Sequence, residues 1–221
     1  MIPRPMLRSA AWSGLVFLVI AIGGGLAPGA LPPLTTPPIE IASYIDAHRF
    51  GLLLGAWLNL PAAAFFLWFV LGLRSVLRRA SGDDESLPMF MLIAAVITGT
   101  LTLIGASAQA LLAYALFGPA AAALLYGLMA LLGCFAFGTG GVMIAVAAQS
   151  IMRSRCAPIW LAWFGYLAAL GCGVASLGVF VQSGFFAAGG AGSLVVGFLP
   201  LTIWIVGVCV WMLRTPRASV V

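Results

Sequence analysis

The stretch FMLIAAVITGTLTLIGA, residues 90–106, contains no charged residue and does not alternate between polar and apolar positions. A strand of a membrane β-barrel would alternate over about ten residues. A helix that spans the lipid core needs about 20 mostly apolar residues in a row, and it satisfies its own backbone hydrogen bonds. The stretch therefore predicts a membrane-spanning helix over about 89–114.

The whole chain shares this character. Apolar residues make up 63% of its 221 residues and charged residues 7%, against about 45–50% and about 25% in soluble domains. We predict one all-α, polytopic membrane domain over residues 1–221, a bundle of six transmembrane helices at about 10–27, 50–73, 89–114, 120–149, 159–182 and 194–213. The first stretch also resembles a secretory signal, but its apolar part of about 18 residues is longer than a usual signal core. We expect it to remain as the first helix.

The arginines predict the orientation. With six helices, nine of them fall on one side of the membrane and only Arg49 falls on the other; the nine are Arg4, Arg8, Arg74, Arg78, Arg79, Arg153, Arg155, Arg214 and Arg217. Positive residues collect on the cytoplasmic side, so both termini are predicted to be cytoplasmic in a multi-pass protein of the cell membrane. The net charge of +5 then reflects topology and attraction to membrane lipids. We expect no nucleic-acid partner; another membrane protein or self-association are open alternatives.

Neutral polar residues are the candidates for function inside the membrane. No charged residue or histidine lies in the central part of a predicted helix, whereas ion-coupled transporters usually carry one there. Thr98, Thr102 and Gln109 lie close to one helical face, where they either line a cavity for a neutral ligand or form hydrogen bonds between helices, worth about 0.6 kcal/mol each. Asn59 lies beside Pro61, which leaves the carbonyl of Trp57 without a donor, so its amide is expected to bond that carbonyl or to reach another helix.

The stretch SYIDAHRFG, residues 43–51, contains the single histidine. Ser43-x-x-Asp46 matches a capping box, and Asp46 and Arg49 are spaced to pair along one helical face. These contacts, with His48 as an interfacial anchor, explain the stretch without a ligand. A pH-sensitive or ligand-gripping role for His48 is the alternative.

Two further segments carry structural expectations. Residues 28–42 contain five prolines and predict a stiff connection at the outer helix ends. Gly51 and Gly55 form a GxxxG pattern, which we expect to serve packing within the bundle.

Signatures of catalysis are missing from the sequence. It contains no HExxH, GxSxG or Walker motif, its four cysteines show no CxxC spacing, and one histidine suits haem ligation poorly. We therefore predict no enzymatic activity, no metal and no cofactor.

Three loose motifs resemble a family of short bacterial six-helix membrane proteins, many of them actinobacterial, whose function is not known. They are Y-x-x-x-H-R at Tyr44, His48 and Arg49, LR-x-x-L-R-R at 73–79, and P-x-W-L-x-W-x-G at 158–165. The resemblance implies no activity, but it makes Tyr44, His48 and Arg49 candidate ligand-binding residues alongside Asn59, Thr98, Thr102 and Gln109.

Two classes of function remain open. The first is a non-enzymatic accessory, scaffold or lipid-binding component. The second is a minimal transporter or channel for a neutral or lipid-like solute. A tightly packed bundle would favour the first class, and a lined cavity would favour the second.

Overall fold

A computed structural model describes residues 4–82, 85–114 and 117–214, and this part of the chain folds into helices without strands. Arg217, one of the arginines used to predict the orientation, lies outside the described residues. The helices are α1 (Arg4–Leu26), α2 (Pro38–Ala47), α3 (Arg49–Ala80), α4 (Ser86–Tyr114), α5 (Pro119–Ser154), α6 (Ile159–Ser176) and α7 (Leu199–Arg214). A 3₁₀ turn, Leu177–Phe180, extends α6, and a π-helical turn, Ser193–Phe198, leads into α7.

Six segments of the described chain are long and apolar enough to cross a membrane. They are Met6–Leu26, Arg49–Ala80, Ser86–Tyr114, Pro119–Ser154, Ile159–Phe180 and Ser193–Arg214. The prediction of a multi-pass, all-helical membrane protein is confirmed at this level. Helices α3 and α5 run past the predicted stretches to Ala80 and Ser154, because hydropathy marks the part that fits lipid, whereas a helix continues into polar surroundings.

The short helix α2 was not predicted. Pro38 occupies its first turn with Glu40, and Ile41 and Ile45 are buried one turn apart. Proline at the helix start and an acidic residue in the first turn both favour a helix, but ten residues are too few to span lipid. Ser43 therefore lies inside α2 and donates to the Ile39 carbonyl at 3.0 Å. The predicted capping box is wrong: α3 is preceded by His48, which makes no side-chain capping bond.

The six spanning helices form a closed ring. Helix α1 packs against α3, α3 against α4, α4 against α5, α5 against α6, α6 against α7, and α7 returns to α1. We call the end that carries Arg74, Arg78, Arg153 and Arg214 the arginine-rich end. Residues 28–48 cross the other end and are called the cap segment.

The arginine-rich half of the ring is tightly packed. Phe69, Leu73, Ile144 and Trp204 are among its fully buried side chains. The indole of Trp204 donates to the Leu161 carbonyl at 3.1 Å, which satisfies its one polar group. A second cluster joins α2 to the ends of α3, α4 and α5 and contains Ile41, Ile45, Leu52, Leu112, Ala113, Ala122 and Tyr126.

The glycines of the GxxxG pattern permit a close crossing of α1 and α3. A Cβ atom on Gly51 would lie 2.2 Å from the Ala27 carbonyl oxygen, and one on Gly55 would lie 2.7 Å from that of Gly24. The expectation that this pattern serves packing within the bundle is confirmed.

Candidate functional site

A cavity of about 330 Å³ lies within the ring, between the packed half and the cap segment. All six spanning segments contribute to its wall, and Pro28 and Leu31 contribute from the cap segment. Its volume is at the lower end of the range of about 300–1,000 Å³ that is typical of small-molecule pockets. The lining residues are Phe17, Ala21, Gly24, Gly25, Pro28, Leu31, Asn59, Ala62, Ala63, Phe66, Thr98, Gly99, Thr102, Gln109, Met129, Gly133, Ala136, Phe137, Gly140, Met143, Cys172, Phe198, Leu201 and Ile205.

The amide and hydroxyl groups in this wall belong to four residues proposed from the sequence. Asn59 projects from α3, whereas Thr98, Thr102 and Gln109 project from one face of α4. The rest of the lining is apolar apart from the Cys172 thiol, and no charged side chain lines it within the described ranges. The cavity therefore suits a neutral molecule.

The hydroxyl groups deep in the cavity already have partners. Thr102 donates to the Thr98 carbonyl at 2.9 Å. The Thr98 hydroxyl lies 2.9 Å from the Ala94 carbonyl oxygen and 2.9 Å from the Thr139 hydroxyl of α5. Thr98 thus links two helices and lines the cavity as well, so both roles considered for it from the sequence occur together.

The two amides are anchored to adjacent turns of α3. Asn59 Nδ2 donates to the Gly55 carbonyl and Gln109 Nε2 to the Leu52 carbonyl, each at 2.9 Å. Each amide nitrogen has a second N–H, and neither side-chain oxygen accepts a hydrogen bond from a described residue. The expected bond from Asn59 to the carbonyl freed by Pro61 is wrong, because the side chain reaches back one turn to Gly55.

Tyr44, His48 and Arg49 lie apart from the cavity, in and beside the cap segment. The Tyr44 hydroxyl donates to the Pro28 carbonyl at 2.7 Å, and the His48 ring stacks on the Tyr44 ring with centroids 4.4 Å apart. Arg49 donates to the Tyr114 carbonyl at 3.2 Å and makes no ion pair with Asp46. The predicted Asp46–Arg49 pair is therefore wrong, because the guanidinium turns to the end of α4.

These contacts hold the three residues within and beside the cap segment. His48 is exposed and does not line the cavity inside the ring, whereas Arg49 lines a small separate cleft with Asp46. Burial raises the pKa of Tyr44 above its ordinary value, so its phenol stays protonated and keeps donating to Pro28 at physiological pH. His48 Nδ1 also lies 3.0 Å from the Tyr44 carbonyl oxygen, and the choice between an anchoring and a gripping role for His48 stays a prediction.

The cap segment is also held from α5. The Tyr126 hydroxyl donates to the Pro32 carbonyl at 2.7 Å. This bond ties the segment to α5 next to cavity-lining Leu31, whereas the Tyr44–Pro28 bond joins two parts of the segment itself.

We expect Tyr126→Phe to loosen the cap segment without unfolding the bundle. Loss of one hydrogen bond costs about 1 kcal/mol, so backbone amides of residues 28–47 should exchange with deuterium about fivefold faster. Tyr166→Phe, which removes a bond to Gln149 remote from the cap, is the control and should leave that exchange unchanged. Equal exchange in the wild type and in Tyr126→Phe would contradict this role.

Apolar lining residues carried no signal in the sequence. Phe17, Phe66, Phe137 and Phe198 line the cavity, but a phenylalanine in a spanning helix suits lipid, a packed core and a cavity equally well.

The fold and the cavity define the class: a multi-pass membrane protein whose ring of helices contains a partly open cavity with an uncharged, mostly apolar lining. Comparisons with protein-family models, with curated proteins and with solved structures find no match to this chain.

Proposed function

We propose that this protein is a non-enzymatic component of the cytoplasmic membrane that binds a small, neutral, lipid-like molecule inside its helical ring. The cavity lined by Asn59, Thr98, Thr102 and Gln109 is the observation that carries the proposal. Most of the wall is apolar, so an apolar molecule gains more from contact with it than water does.

The packed half of the ring supports binding over conduction as the first proposal. Between the cavity and the arginine-rich end, the fully buried Phe69, Leu73 and Trp204 belong to one continuous core. A molecule in the cavity has no continuous route through that core. Binding, as in a lipid-binding or accessory protein, is therefore the first proposal.

Transport is the second candidate. By the criterion stated with the sequence, a lined cavity favours a transporter, and irregular helical geometry favours transport as well. Pro61 lies inside α3 between cavity-lining Asn59 and Ala62, and a π-helical turn ends at cavity-lining Phe198. Such irregularities often mark sites where helices bend or rearrange. A transport cycle would require α3 or α7 to move so that the packed half opens.

Native mass spectrometry tests the proposed function. The protein would be purified from its own membrane in lipid particles and released by collisional activation. We expect a retained small molecule of constant mass that is not one of the bulk phospholipids. A bare protein, or one that retains only phospholipids in proportion to their abundance, would count against the proposal.

The orientation is a proposal with its own test. We propose that the arginine-rich end faces the cytoplasm. Reporter fusions at residue 221 and within 78–88 should both report the cytoplasm, and a fusion within 183–193 should report the outside. A reversal at any of these three positions would rule out this topology.

A further inference from the structure

We propose that the ligand is a neutral amphiphile with one hydroxyl or carbonyl head group, held by Asn59 and Gln109, and with its apolar part directed toward the packed half. This inference rests on the proposed function and specifies the chemical class of the molecule in the cavity.

Unsatisfied hydrogen-bonding capacity is concentrated at one place. Asn59 donates to the Gly55 carbonyl, and a Cβ atom on Gly55 would lie 2.8 Å from Gln109 Nε2. Both amides therefore lie close to Gly55 of α3. Pro28 of the cap segment approaches Gly55 as well, because its Cγ atom would lie 3.4 Å from the same Cβ. The head-group position is thus at the capped end of the cavity.

The free hydrogen-bonding groups of the two amides match a small neutral head group. Each amide has one N–H and one carbonyl oxygen without a hydrogen-bond partner among the described residues. A hydroxyl both donates and accepts, and a carbonyl accepts, so either group can bond these amides directly. An analogue without the polar group should bind less well, because it would displace water from the amides without replacing the hydrogen bonds.

Away from the two amides, the wall is mostly apolar, and the hydroxyl groups of Thr98 and Thr102 already donate to partners. Phe66, Phe137, Met143, Leu201 and Ile205 form this part of the wall. Phe66, Met143 and Ile205 also belong to the packed core. An alkyl or isoprenoid chain fits there.

A charged head group is disfavoured by the composition of the wall. Among the described lining residues there is no arginine, lysine, histidine, aspartate or glutamate. An ion moved from water into such a site loses its hydration without gaining a counter-charge. Sulfonates and quaternary ammonium compounds should therefore bind poorly.

Photo-crosslinking with matched probes tests the inference in lipid particles. The probes share a tail of about ten carbons with one diazirine and differ only in the head, which is a hydroxyl, a methyl, a sulfonate or a quaternary ammonium group. Labelling of cavity-lining residues is divided by labelling of the exposed Phe50 and Trp57, so that partition into lipid cancels.

We expect the hydroxyl probe to give at least tenfold higher normalised cavity labelling than the two charged probes. Its normalised cavity labelling should also exceed that of the methyl probe about three- to tenfold, which is the effect of one or two net hydrogen bonds. In Gln109→Leu, cavity labelling by the hydroxyl probe should fall to that of the methyl probe. Ser107→Ala, a control at an exposed hydroxyl that bonds only to its own helix, should keep the difference.

Other results would overturn the inference. Equal cavity labelling by the hydroxyl and methyl probes in the wild type would remove the head-group selectivity, and preferential labelling by a charged probe would reverse it. Cavity labelling no higher than labelling of lipid-facing residues would overturn it as well. The native mass spectrum of the molecule bound in the cell decides the proposed function separately from each of these results.

Discussion

Replacing Gly51 with alanine is expected to prevent stable folding of the bundle. The new Cβ atom would lie 2.2 Å from the carbonyl oxygen and 3.0 Å from the carbonyl carbon of Ala27, and 3.3 Å from Cα of Pro28. All three are backbone atoms, so no side chain can rotate to make room. Overpacking typically costs about 1–3 kcal/mol, and here the clash with backbone should place the loss at about 3 kcal/mol or more.

Thermal unfolding and the yield of monodisperse protein would measure this effect. Gly23→Ala is the matched control, because it lies on the partner helix α1 and its Cβ would meet no atom within 4 Å. There the higher helix propensity of alanine should leave stability equal or improved, by up to about 1 kcal/mol. If the two variants unfold at the same temperature, α1 and α3 do not cross as described.

The second large effect is expected from Gly99→Leu. Gly99 is buried and lines the cavity, and a Cβ atom there would meet nothing within 4 Å. The leucine side chain should therefore occupy the cavity rather than press on a neighbour. We expect the amount of retained small molecule in the native mass spectrum to fall at least tenfold, which corresponds to about 1.4 kcal/mol, while the protein stays folded.

Gly173→Leu provides the control for that experiment. Gly173 also lies in a spanning helix with no atom within 4 Å of its Cβ position, but it does not line the cavity. This variant should retain the molecule at the wild-type level. Equal retention by Gly99→Leu and the wild type would place the bound molecule elsewhere on the protein.

The spanning helices were predictable because lipid imposes a simple rule on composition. A run such as 90–106, if it spans lipid, satisfies its backbone hydrogen bonds as a helix whatever its neighbours are. The same rule does not predict α2, because α2 does not span lipid. It is stabilised by burial of Ile41 and Ile45 against the ends of other helices, a tertiary contact that local composition does not reveal.

The candidate site was predictable only in part. The spacing of Thr98, Thr102 and Gln109 placed them on one face, and that face does line the cavity. Whether a polar face meets a cavity or a neighbouring helix depends on what stands opposite. Here Gly24, Gly25 and Ala136 carry little or no side chain and leave the space open. For Asn59, the position beside Pro61 pointed to the wrong carbonyl, because the bond back to Gly55 depends on its side-chain conformation.

A crystal structure of the protein purified from its own membrane, grown in a lipidic mesophase without added ligand, is the most direct test of a bound neutral amphiphile. We expect elongated non-protein density in the cavity, with its polar end within hydrogen-bonding distance of Asn59 and Gln109 and its tail against Phe66 and Phe137. A cavity that is collapsed, or that holds only water, would contradict the proposed function.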